Sequence, residues 1–385
     1  MIPYGRQDIS EEDVAAVCSV LRSDFLTQGP VIERFERTVA EYCGAEYAVA
    51  VSNATAALHI ACLALGLGPD DIAWTSPNTF VASANCARYC GAKVDFVDID
   101  PVSLNISPVV LEQRLASAAQ QGKLPKVLVP VHFSGQSCDM EAIGRLAQKY
   151  GIAVIEDASH AIGARFGNDV VGSCKHSDCA IFSFHPVKIV TTGEGGIIVT
   201  NRSDLAARLR LLRSHGITRD AGLMSCENPG PWYYEQIELG YNYRMTDIQA
   251  ALGCSQMLRL DVFVSRRQEL AARYDRLLAD LCLQLPVQDQ RAKSSWHLYV
   301  VRLRLDEISR SHREVFDGLR AAGIGVNLHY IPVHLQPYYR EMGFAPGYCP
   351  EAEAYACSAL SLPLFPKMTE EQQDRVVEAL RNLVR

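Results

Sequence analysis

The chain has no excess of basic residues and no apolar stretch long enough to cross a bilayer. Of its 385 residues, 37 are Lys or Arg and 44 are Asp or Glu, which gives a formal net charge of -7. A dedicated nucleic-acid binder carries a basic footprint, so we expect no nucleic-acid partner. The most apolar stretch, residues 54–68, is too short to span a membrane, and no signal-peptide pattern opens the sequence. We therefore expect a cytoplasmic protein without a membrane segment.

Several common site motifs are also missing. The 13 cysteines include no C-x-x-C pair, so we expect reduced thiols, and the spacings Cys86-x3-Cys90 and Cys174-x4-Cys179 lack the matched second pair of a zinc site. We therefore predict no metal. No G-x-G-x-x-G follows a strand-like run, and residues 167–172 have the glycine spacing of a phosphate-binding loop without its lysine. The signatures H-E-x-x-H and G-x-S-x-G are absent as well.

An alternation of strand-like and helix-like segments fills the first 200 residues. Hydrophobic residues make up 48% of the chain and charged residues 21%, which is typical of a globular protein. The strand-like runs are 46–51, 72–75, 93–98, 126–131, 152–155, 179–184 and 196–200, and the helix-like segments are 56–67, 80–90, 108–120 and 140–150. This rhythm predicts an α/β fold with a mainly parallel seven-stranded sheet covered by helices. The link between the last two strands is short, so that pair is expected to be antiparallel.

The pattern changes after residue 200. We predict a helix over 205–215, a loop over 222–243, and a long helix that starts at the capping box Thr246-x-x-Gln249 and runs toward Tyr274. A strand over 298–305, a helix over 311–322, a strand over 325–329 and a last helix after Thr369-x-x-Gln372 follow. We read residues 1–250 as a large domain and 251–385 as a smaller C-terminal α+β domain.

Three segments that follow strands carry candidate chemistry. Small and hydroxyl residues at 52–59 begin a helix whose free N–H groups suit a phosphate, although an ordinary helix cap has the same composition. Asp157 ends an apolar strand, where a carboxylate needs a partner. It could serve as a cap or in an internal ion pair, or it could face a cationic ring nitrogen. Lys188 lies between a buried strand and the turn TTGEGG at 191–196. Two interpretations are open: a side chain that extends its charged end to solvent, or a desolvated amine able to form a Schiff base.

A phosphate cradle, a buried carboxylate and a buried lysine are together the parts that pyridoxal 5'-phosphate requires. Here the resemblance becomes specific. The segments SFHPVK, TTGEGG, EDASHAIGA and GYNYRMTDIQAALG resemble those of the DegT/DnrJ/StrS family of sugar aminotransferases, and the resemblance covers nearly the whole chain. It implies a fold-type I pyridoxal-phosphate-dependent transferase that works on nucleotide-linked keto sugars. Some members have histidine in place of the reactive lysine and do not transaminate, whereas this chain keeps Lys188.

The resemblance implies a role for each matching residue. Lys188 would bond to the cofactor and then act as acid and base, while Asp157 would pair with the pyridinium nitrogen. The other implied cofactor contacts are Phe80 and His160 on the ring, Ala54, Thr55 and Ser183 at the phosphate, and Asn242 reaching the phosphate of a neighbouring subunit. Asn242 implies a homodimer with shared active sites. The substrate candidates are His329, Tyr330, Arg213 and Arg244, and an ion pair at a subunit interface is an equal alternative for the two arginines.

The resemblance also indicates a reaction. The segments LTQGP at 26–30, PNTF at 77–80 and GVNLHY at 325–330 are most similar to members that act in pseudaminic acid biosynthesis. These move an amino group from L-glutamate, which leaves as 2-oxoglutarate, to carbon 4 of a UDP-linked 4-keto-6-deoxy-N-acetylhexosamine and form UDP-4-amino-4,6-dideoxy-N-acetyl-β-L-altrosamine. A related keto sugar or nucleotide stays open. So do a pyridoxal-phosphate enzyme on the same fold that does not transaminate, and a regulator that keeps the cofactor but turns over no amino donor.

Overall fold

The computed structural model describes residues 1–226 and 229–384. Its α-helices are α1 (Glu11–Leu21), α2 (Pro30–Cys43), α3 (Ala54–Ala64), α4 (Ala82–Tyr89), α5 (Pro108–Gln120), α6 (Met140–Tyr150), α7 (Ser203–Arg213), α8 (Asp247–Met257), α9 (Leu260–Leu278), α10 (His312–Ala321), α11 (Pro337–Arg340), α12 (Pro350–Ala356) and α13 (Glu370–Arg381). Its strands are β1 (Tyr47–Val51), β2 (Ile72–Thr75), β3 (Lys93–Phe96), β4 (Val127–Val129), β5 (Ala153–Asp157), β6 (Arg165–Phe166), β7 (Asp169–Val170), β8 (Cys179–Ser183), β9 (Gly196–Thr200), β10 (Ile217–Thr218), β11 (Glu235–Gln236), β12 (Leu283–Gln284), β13 (Ala292–Lys293), β14 (Tyr299–Leu303) and β15 (Ala359–Leu362). The predicted loop 222–243 includes residues 227 and 228, which lie outside the described residues, and β11 interrupts its described part.

A seven-stranded sheet forms the centre of the first 200 residues and confirms the predicted α/β class. The strand order is β1-β9-β8-β5-β4-β2-β3. Strands β3, β2, β4, β5 and β8 pair in parallel, and β9 runs antiparallel to both β8 and β1. The antiparallel pairing of β8 with β9 is therefore confirmed. Because β1 runs in the same direction as the parallel strands, its carboxyl end lies at the same edge of the sheet as theirs.

Helices cover the sheet because their apolar residues face it. Every residue of α3 from Ala56 to Cys62 is buried, and the helix predicted over 56–67 is confirmed. Helices α5 and α6 begin at the capping residues Ser107 and Asp139, whose side chains accept hydrogen bonds from the first turn. No helix in the described part of the chain combines the length and the apolar character that a bilayer span requires.

The second half of the chain builds a smaller three-stranded antiparallel sheet in the order β12-β14-β15. The predicted strand over 298–305 corresponds to β14, but the predicted strand over 325–329 is wrong. That segment makes only an isolated bridge between Asn327 and Ser361, and it packs instead against the amino terminus, where the Gly325 N–H donates to Ile2 O at 2.7 Å. The third strand is β15, which the sequence analysis missed because it is a four-residue run next to Pro363.

The long helix predicted from Thr246 toward Tyr274 is in fact two helices. The capping box of Thr246 and Gln249 is confirmed at the start of α8, but the chain leaves helical geometry at Arg259, with φ -107° and ψ 3°. The Arg259 guanidinium donates to Asp13 Oδ2 at 2.6 Å and to the Asp8 backbone oxygen at 2.9 Å. No proline or glycine marks this break. The domain boundary near residue 250 stays a prediction.

Candidate active site

A cavity of about 850 Å³ opens at the carboxyl edge of the large sheet. In open α/β sheets this edge is where ligands bind, because the loops that follow the parallel strands meet there. The strands β1, β5 and β8 each deliver a chemically active segment to the cavity. Nine of the twelve predicted site residues line it, namely Ala54, Thr55, Phe80, Asp157, His160, Ser183, Lys188, His329 and Tyr330.

The amino terminus of α3 forms one wall of the cavity. Asn53 caps the helix, because its Oδ1 accepts the Ala56 N–H at 2.8 Å. The N–H groups of Ala54 and Thr55 have no acceptor within the helix and lie at the positive end of its dipole. A Cβ on Gly196 would lie 2.6 Å from Ala54 N, so glycine is what allows β9 to approach this terminus. This wall suits a phosphate group.

Lys188 lies in the connection between β8 and β9. The connection is closed at its base, where the Phe184 N–H donates to Gly195 O and the Thr192 N–H donates to Phe184 O, both at 2.9 Å. Burial lowers the pKa of Lys188 from 10.5 to about 8, and the negative charge of Asp157 opposes this shift. The amine therefore lies in a poorly hydrated site with a carboxylate near enough for their charges to interact.

Asp157 is the last residue of β5 and is buried. Its Oδ2 accepts a hydrogen bond from the Ser83 hydroxyl at 2.5 Å, and its Oδ1 accepts the Ser159 N–H at 3.1 Å. Both carboxylate oxygens are thus fixed by donors that do not depend on a ligand. These hydrogen bonds give the side chain partners in a place where an unpaired carboxylate would be costly.

His160 lies between two other rings on the cavity wall. Its ring centroid is 4.4 Å from that of His297, and its Nε2 lies 3.1 Å from the Tyr330 hydroxyl. Burial, together with the positive charge of Lys188, lowers the pKa of His160 well below 6.5. The imidazole is therefore neutral at pH 7. Phe80, by contrast, is 58% exposed and presents its ring to the cavity 6.3 Å from Tyr330.

His329 brings the segment that follows Gly325 to the cavity. Its Nδ1 lies 2.8 Å from the Ser361 hydroxyl, and its ring centroid lies 5.3 Å from that of Tyr4. Burial lowers the pKa of His329 to about 4, and the charge of Lys188 acts in the same direction. His160 and His329 are therefore uncharged at pH 7 and lie near enough to Lys188 for its charge to affect them.

The cavity also contains residues that the sequence analysis did not single out. His297 lines it, as do Thr79 and Asn327, which lie in the segments 77–80 and 325–330 on which the family resemblance rests. Reading those segments position by position could have found them. Tyr4 also lines the cavity, but no sequence signal connects it with residues more than 300 positions away.

Three predicted residues lie outside the cavity lining. Arg213 Nη1 lies 2.5 Å from Glu36 Oε1 and donates to Ala50 O at 2.8 Å, so this guanidinium already has a carboxylate partner in its own chain. Arg244 forms a backbone bridge with Val51. Asn242 is exposed and forms a backbone bridge with Ser214.

Comparison with known proteins places the whole chain in one family. A model of the DegT/DnrJ/EryC1/StrS aminotransferase family matches residues 7–381. The chain belongs to the DegT/DnrJ/EryC1/StrS aminotransferase family. One similar protein is the spore coat polysaccharide biosynthesis protein SpsC of Bacillus subtilis. It is 40% identical to this chain, over 100% of this chain and 97% of the length of SpsC.

Solved structures agree with this assignment. Helicobacter pylori PseC, an aminotransferase involved in the biosynthesis of pseudoaminic (pseudaminic) acid, superposes with a TM-score of 0.90 at 29% identity, over 100% of this chain and 99% of its own. The sugar aminotransferase Spr1654 of Streptococcus pneumoniae, in its PMP form, has the same TM-score and identity, over 99% and 98% of the two chains. The fold is therefore that of the pyridoxal-phosphate-dependent sugar aminotransferases, as the sequence analysis predicted.

The cofactor of a DegT/DnrJ/EryC1/StrS aminotransferase is pyridoxal 5'-phosphate, and the residues present here fit it. The α3 terminus offers N–H groups to a phosphate, Asp157 offers a fixed carboxylate to a cationic ring nitrogen, and Lys188 offers an amine of lowered pKa. His160 Nδ1 is buried and has no hydrogen-bond partner in the described residues, so this polar atom is left for a ligand to satisfy.

Proposed function

We propose that this aminotransferase moves an amino group from L-glutamate to carbon 4 of a UDP-linked 4-keto-6-deoxy-N-acetylhexosamine. The observation that carries the proposal is the meeting of Lys188 and Asp157 in one cavity beside the α3 terminus. The structural similarity to Helicobacter pylori PseC over the full length of both chains supports the choice of sugar. The product would be the UDP-4-amino-4,6-dideoxy sugar, and 2-oxoglutarate would leave after the first half of the reaction.

The cofactor-holding residues divide by the part of the molecule they would contact. Ala54 and Thr55 would bind its phosphate through N–H groups, and the buried Ser183 hydroxyl would join them. Asp157 would pair with the ring nitrogen. Phe80 and His160 would cover the ring, since both line the cavity with their rings. The bound cofactor would supply an electron sink for the charge left at the donor's Cα.

Lys188 would hold the cofactor and then move a proton at the donor's Cα. A pKa of about 8 leaves a useful fraction of the amine uncharged at neutral pH, and an uncharged amine is both a nucleophile and a base. The neighbouring imidazoles are neutral because burial lowers their pKa values, so they do not compete as cations. The side chain of Lys188 is thus the group in this cavity best suited to the proton transfer.

The substrate would enter along the wall formed by His329 and Tyr330. The uncharged imidazole of His329 and the Tyr330 hydroxyl can both donate or accept hydrogen bonds, which suits sugar hydroxyl and N-acetyl groups. We do not assign Arg213 to the substrate, because Glu36 neutralises its charge. Arg244 stays a candidate only for a contact made across a subunit boundary.

A different nucleotide sugar is the second candidate. Bacillus subtilis SpsC is 40% identical to this chain, whereas Helicobacter pylori PseC is 29% identical. SpsC carries the name of a spore coat polysaccharide biosynthesis protein. The higher identity favours a polysaccharide precursor as an alternative acceptor, with the same amine transfer and the same roles for Lys188 and Asp157.

The active unit would be a homodimer in which Asn242 of each chain reaches the phosphate site of the other. Asn242 is exposed and does not line the cavity of its own chain. The large apolar side chains of Trp232 and Leu239, which precede Asn242 in the same segment, are exposed as well. We infer that this exposed segment forms part of the contact between the two subunits.

The proposal is tested by offering the purified holoenzyme L-glutamate and a panel of UDP- and dTDP-linked 3-keto and 4-keto sugars, and by identifying the aminated product by NMR. We expect a 4-amino product from the UDP-linked 4-keto-6-deoxy-N-acetylhexosamine. General acid–base catalysis alone provides on the order of 10²–10⁴-fold in rate. In Lys188→Ala we expect turnover to fall by more than this, because the proposed covalent bond to the cofactor is also lost.

Each outcome of this experiment has a separate meaning. Amination of another sugar in the panel would favour the second candidate and leave the site assignment intact. If reduction with borohydride fixed the cofactor to a lysine other than Lys188, the assignment of the site itself would be wrong.

A further inference from the structure

A short chain of hydroxyl groups lies behind Asp157 and outside the functions assigned so far. Thr79 Oγ1 lies 2.7 Å from Ser83 Oγ, and Ser83 Oγ lies 2.5 Å from Asp157 Oδ2. All three side chains are buried, with exposed fractions of 2% for Thr79 and Ser83 and 5% for Asp157. Thr79 itself lines the cavity. Three buried polar groups in hydrogen-bonded series need a reason to be there.

The direction of the hydrogen bonds follows from the chemistry of the groups. An ionised carboxylate only accepts, so Ser83 must give its single hydroxyl proton to Asp157. Ser83 then has only its lone pairs left, so Thr79 must donate to Ser83. The competing contact from Ser83 to Phe80 O is 3.4 Å long and weak by comparison. The chain therefore runs in one direction, from Thr79 through Ser83 to Asp157.

We propose that Ser83, supported by Thr79, is a positioning residue that fixes Asp157 against the cofactor ring and keeps the ring nitrogen protonated. This rests on the proposed role of Asp157. A hydrogen-bond donor on a carboxylate stabilises its charged form, and that favours the state in which the shared proton stays on nitrogen. Cooperative polarisation along the two hydroxyls strengthens the effect.

The same chain of hydroxyls joins two parts of the site that are far apart in sequence. Ser83 lies in the first turn of α4, and Thr79 comes immediately before Phe80, which would cover the ring. Asp157 ends β5. These hydrogen bonds therefore fix the position of the segment that carries Phe80 relative to the Asp157 carboxylate. The residue that would cover the cofactor ring and the residue that would pair with the ring nitrogen are thus held together.

The test uses holoenzyme reconstituted with pyridoxal 5'-phosphate labelled with ¹⁵N in its ring. We expect the ring nitrogen of the wild type to show the chemical shift of a protonated pyridine. In Ser83→Ala the shift should move toward that of the neutral ring, and the glutamate half-reaction should slow by about 10-fold, the size expected for one charge-assisted hydrogen bond. Cofactor affinity, measured by fluorescence titration, should fall by less than the half-reaction rate.

The control is Ser137→Ala, because Ser137 is also buried but donates to Cys138 O and does not contact Asp157. Thr79→Val removes the hydroxyl that donates to Ser83 and leaves Ser83 itself unchanged, so it should shift the ¹⁵N signal in the same direction by a smaller amount. Thr79→Ser keeps a hydroxyl at this position and should give the wild-type signal. If Ser83→Ala does not fold, the Thr79 pair decides the question.

A wild-type ¹⁵N signal in both Ser83→Ala and Thr79→Val would overturn the inference. That result differs from a failure of the proposed function, which would appear in the wild type itself as a neutral ring nitrogen or as no half-reaction with glutamate. A merely structural role of Ser83 would lower stability but leave the ¹⁵N shift of the bound cofactor unchanged.

Discussion

At the scale of single residues, the site is defined by a lysine that the fold makes easy to deprotonate. Lys188 loses its proton near pH 8 instead of 10.5 because burial removes water from the charged amine. Asp157 opposes this shift but does not cancel it. The buried position of the Lys188 amine therefore destabilises the folded state whenever the amine is charged. This effect can be measured.

Replacing Lys188 with methionine should stabilise the cofactor-free protein at neutral pH. Below pH 8 the folded wild type holds a charged, poorly hydrated amine, and the substitution removes it. A shift from 10.5 to about 8 corresponds to at most about 3 kcal/mol in the free energy of unfolding. Urea denaturation at pH 7 should therefore show Lys188→Met to be more stable than the wild type.

The pH dependence of this difference has a definite sign. Between pH 8 and 10.5 the Lys188 side chain binds more protons in the unfolded wild type than in the folded one. The free energy of unfolding of the wild type therefore rises with pH over this interval. The advantage of Lys188→Met should shrink over the same interval. The exposed Lys123→Met is the control, and a difference that grew between pH 8 and 10 would contradict the prediction.

At the scale of residues, only part of the candidate site could be predicted from the sequence. Lys188 and Asp157 could be predicted because Asp157 ends a buried strand and Lys188 follows one, and a charge in such a place needs a function or a partner. Ser83 could not, because a serine in the first turn of a helix is common, and its contact with Asp157 spans 74 positions. Arg213 was a substrate candidate through the family resemblance, and its pairing with Glu36 in the same chain depends on the packing of α2 against β1.

At the scale of elements, the cavity wall at the amino terminus of α3 depends on how closely β9 approaches that helix. Gly196 pairs with Val51 in the sheet and faces the backbone of Asn53 and Ala54, leaving no room for a side chain. The glycine at the end of TTGEGG is therefore a packing requirement between two elements. The glycine of the same turn at 193 serves backbone conformation instead, with φ +81°.

Substituting Gly196 with alanine should displace the amino terminus of α3. The added Cβ would lie 2.5 Å from Asn53 C and 2.6 Å from Ala54 N, both of them backbone atoms that can move only with the helix. We expect affinity for pyridoxal 5'-phosphate, measured by fluorescence titration, to fall at least about 10-fold, and stability to fall by about 1–3 kcal/mol.

Gly68→Ala is the matched control, because a Cβ there would meet only Asp71 Oδ2, at 3.9 Å. Its cofactor affinity should stay within twofold of the wild type. Unchanged affinity in Gly196→Ala would show that the α3 terminus does not bind the cofactor phosphate.

Element prediction succeeded where periodicity and caps were informative. All seven strands of the large sheet and the helices α5 and α6 were predicted, since each is an apolar run or a capped amphipathic segment. The break between α8 and α9 was missed because no proline or glycine marks it, and the contacts that Arg259 makes there reach Asp8 and Asp13, far away in the sequence. Such long-range contacts leave no local signal.

At the scale of the whole molecule, the proposed dimer would complete each site with Asn242 of the other chain. Mixing Lys188→Ala with Asn242→Ala tests this directly. If subunits exchange at random, half of the dimers are hybrids with one intact site out of two, so activity should return to roughly a quarter of that of the wild type. The measurement is turnover of glutamate at limiting cofactor, after the two variants are unfolded and refolded together.

Each variant alone, treated in the same way, is the control. No gain over the two separate activities would place Asn242 in the site of its own chain or outside the site altogether. Analytical ultracentrifugation of the wild type should show a dimer at the concentrations used in the assay.

The first residues of the chain are part of the cavity although they precede every helix and strand of the large sheet. Ile2 is buried and exchanges backbone hydrogen bonds with Gly323 and Gly325, and Tyr4 meets the ring of His329. Engineering libraries drawn only around the conspicuous motifs would omit Tyr4. Because Tyr4 lines the cavity beside His329, a proposed substrate contact, we expect its variation to change the acceptor preference.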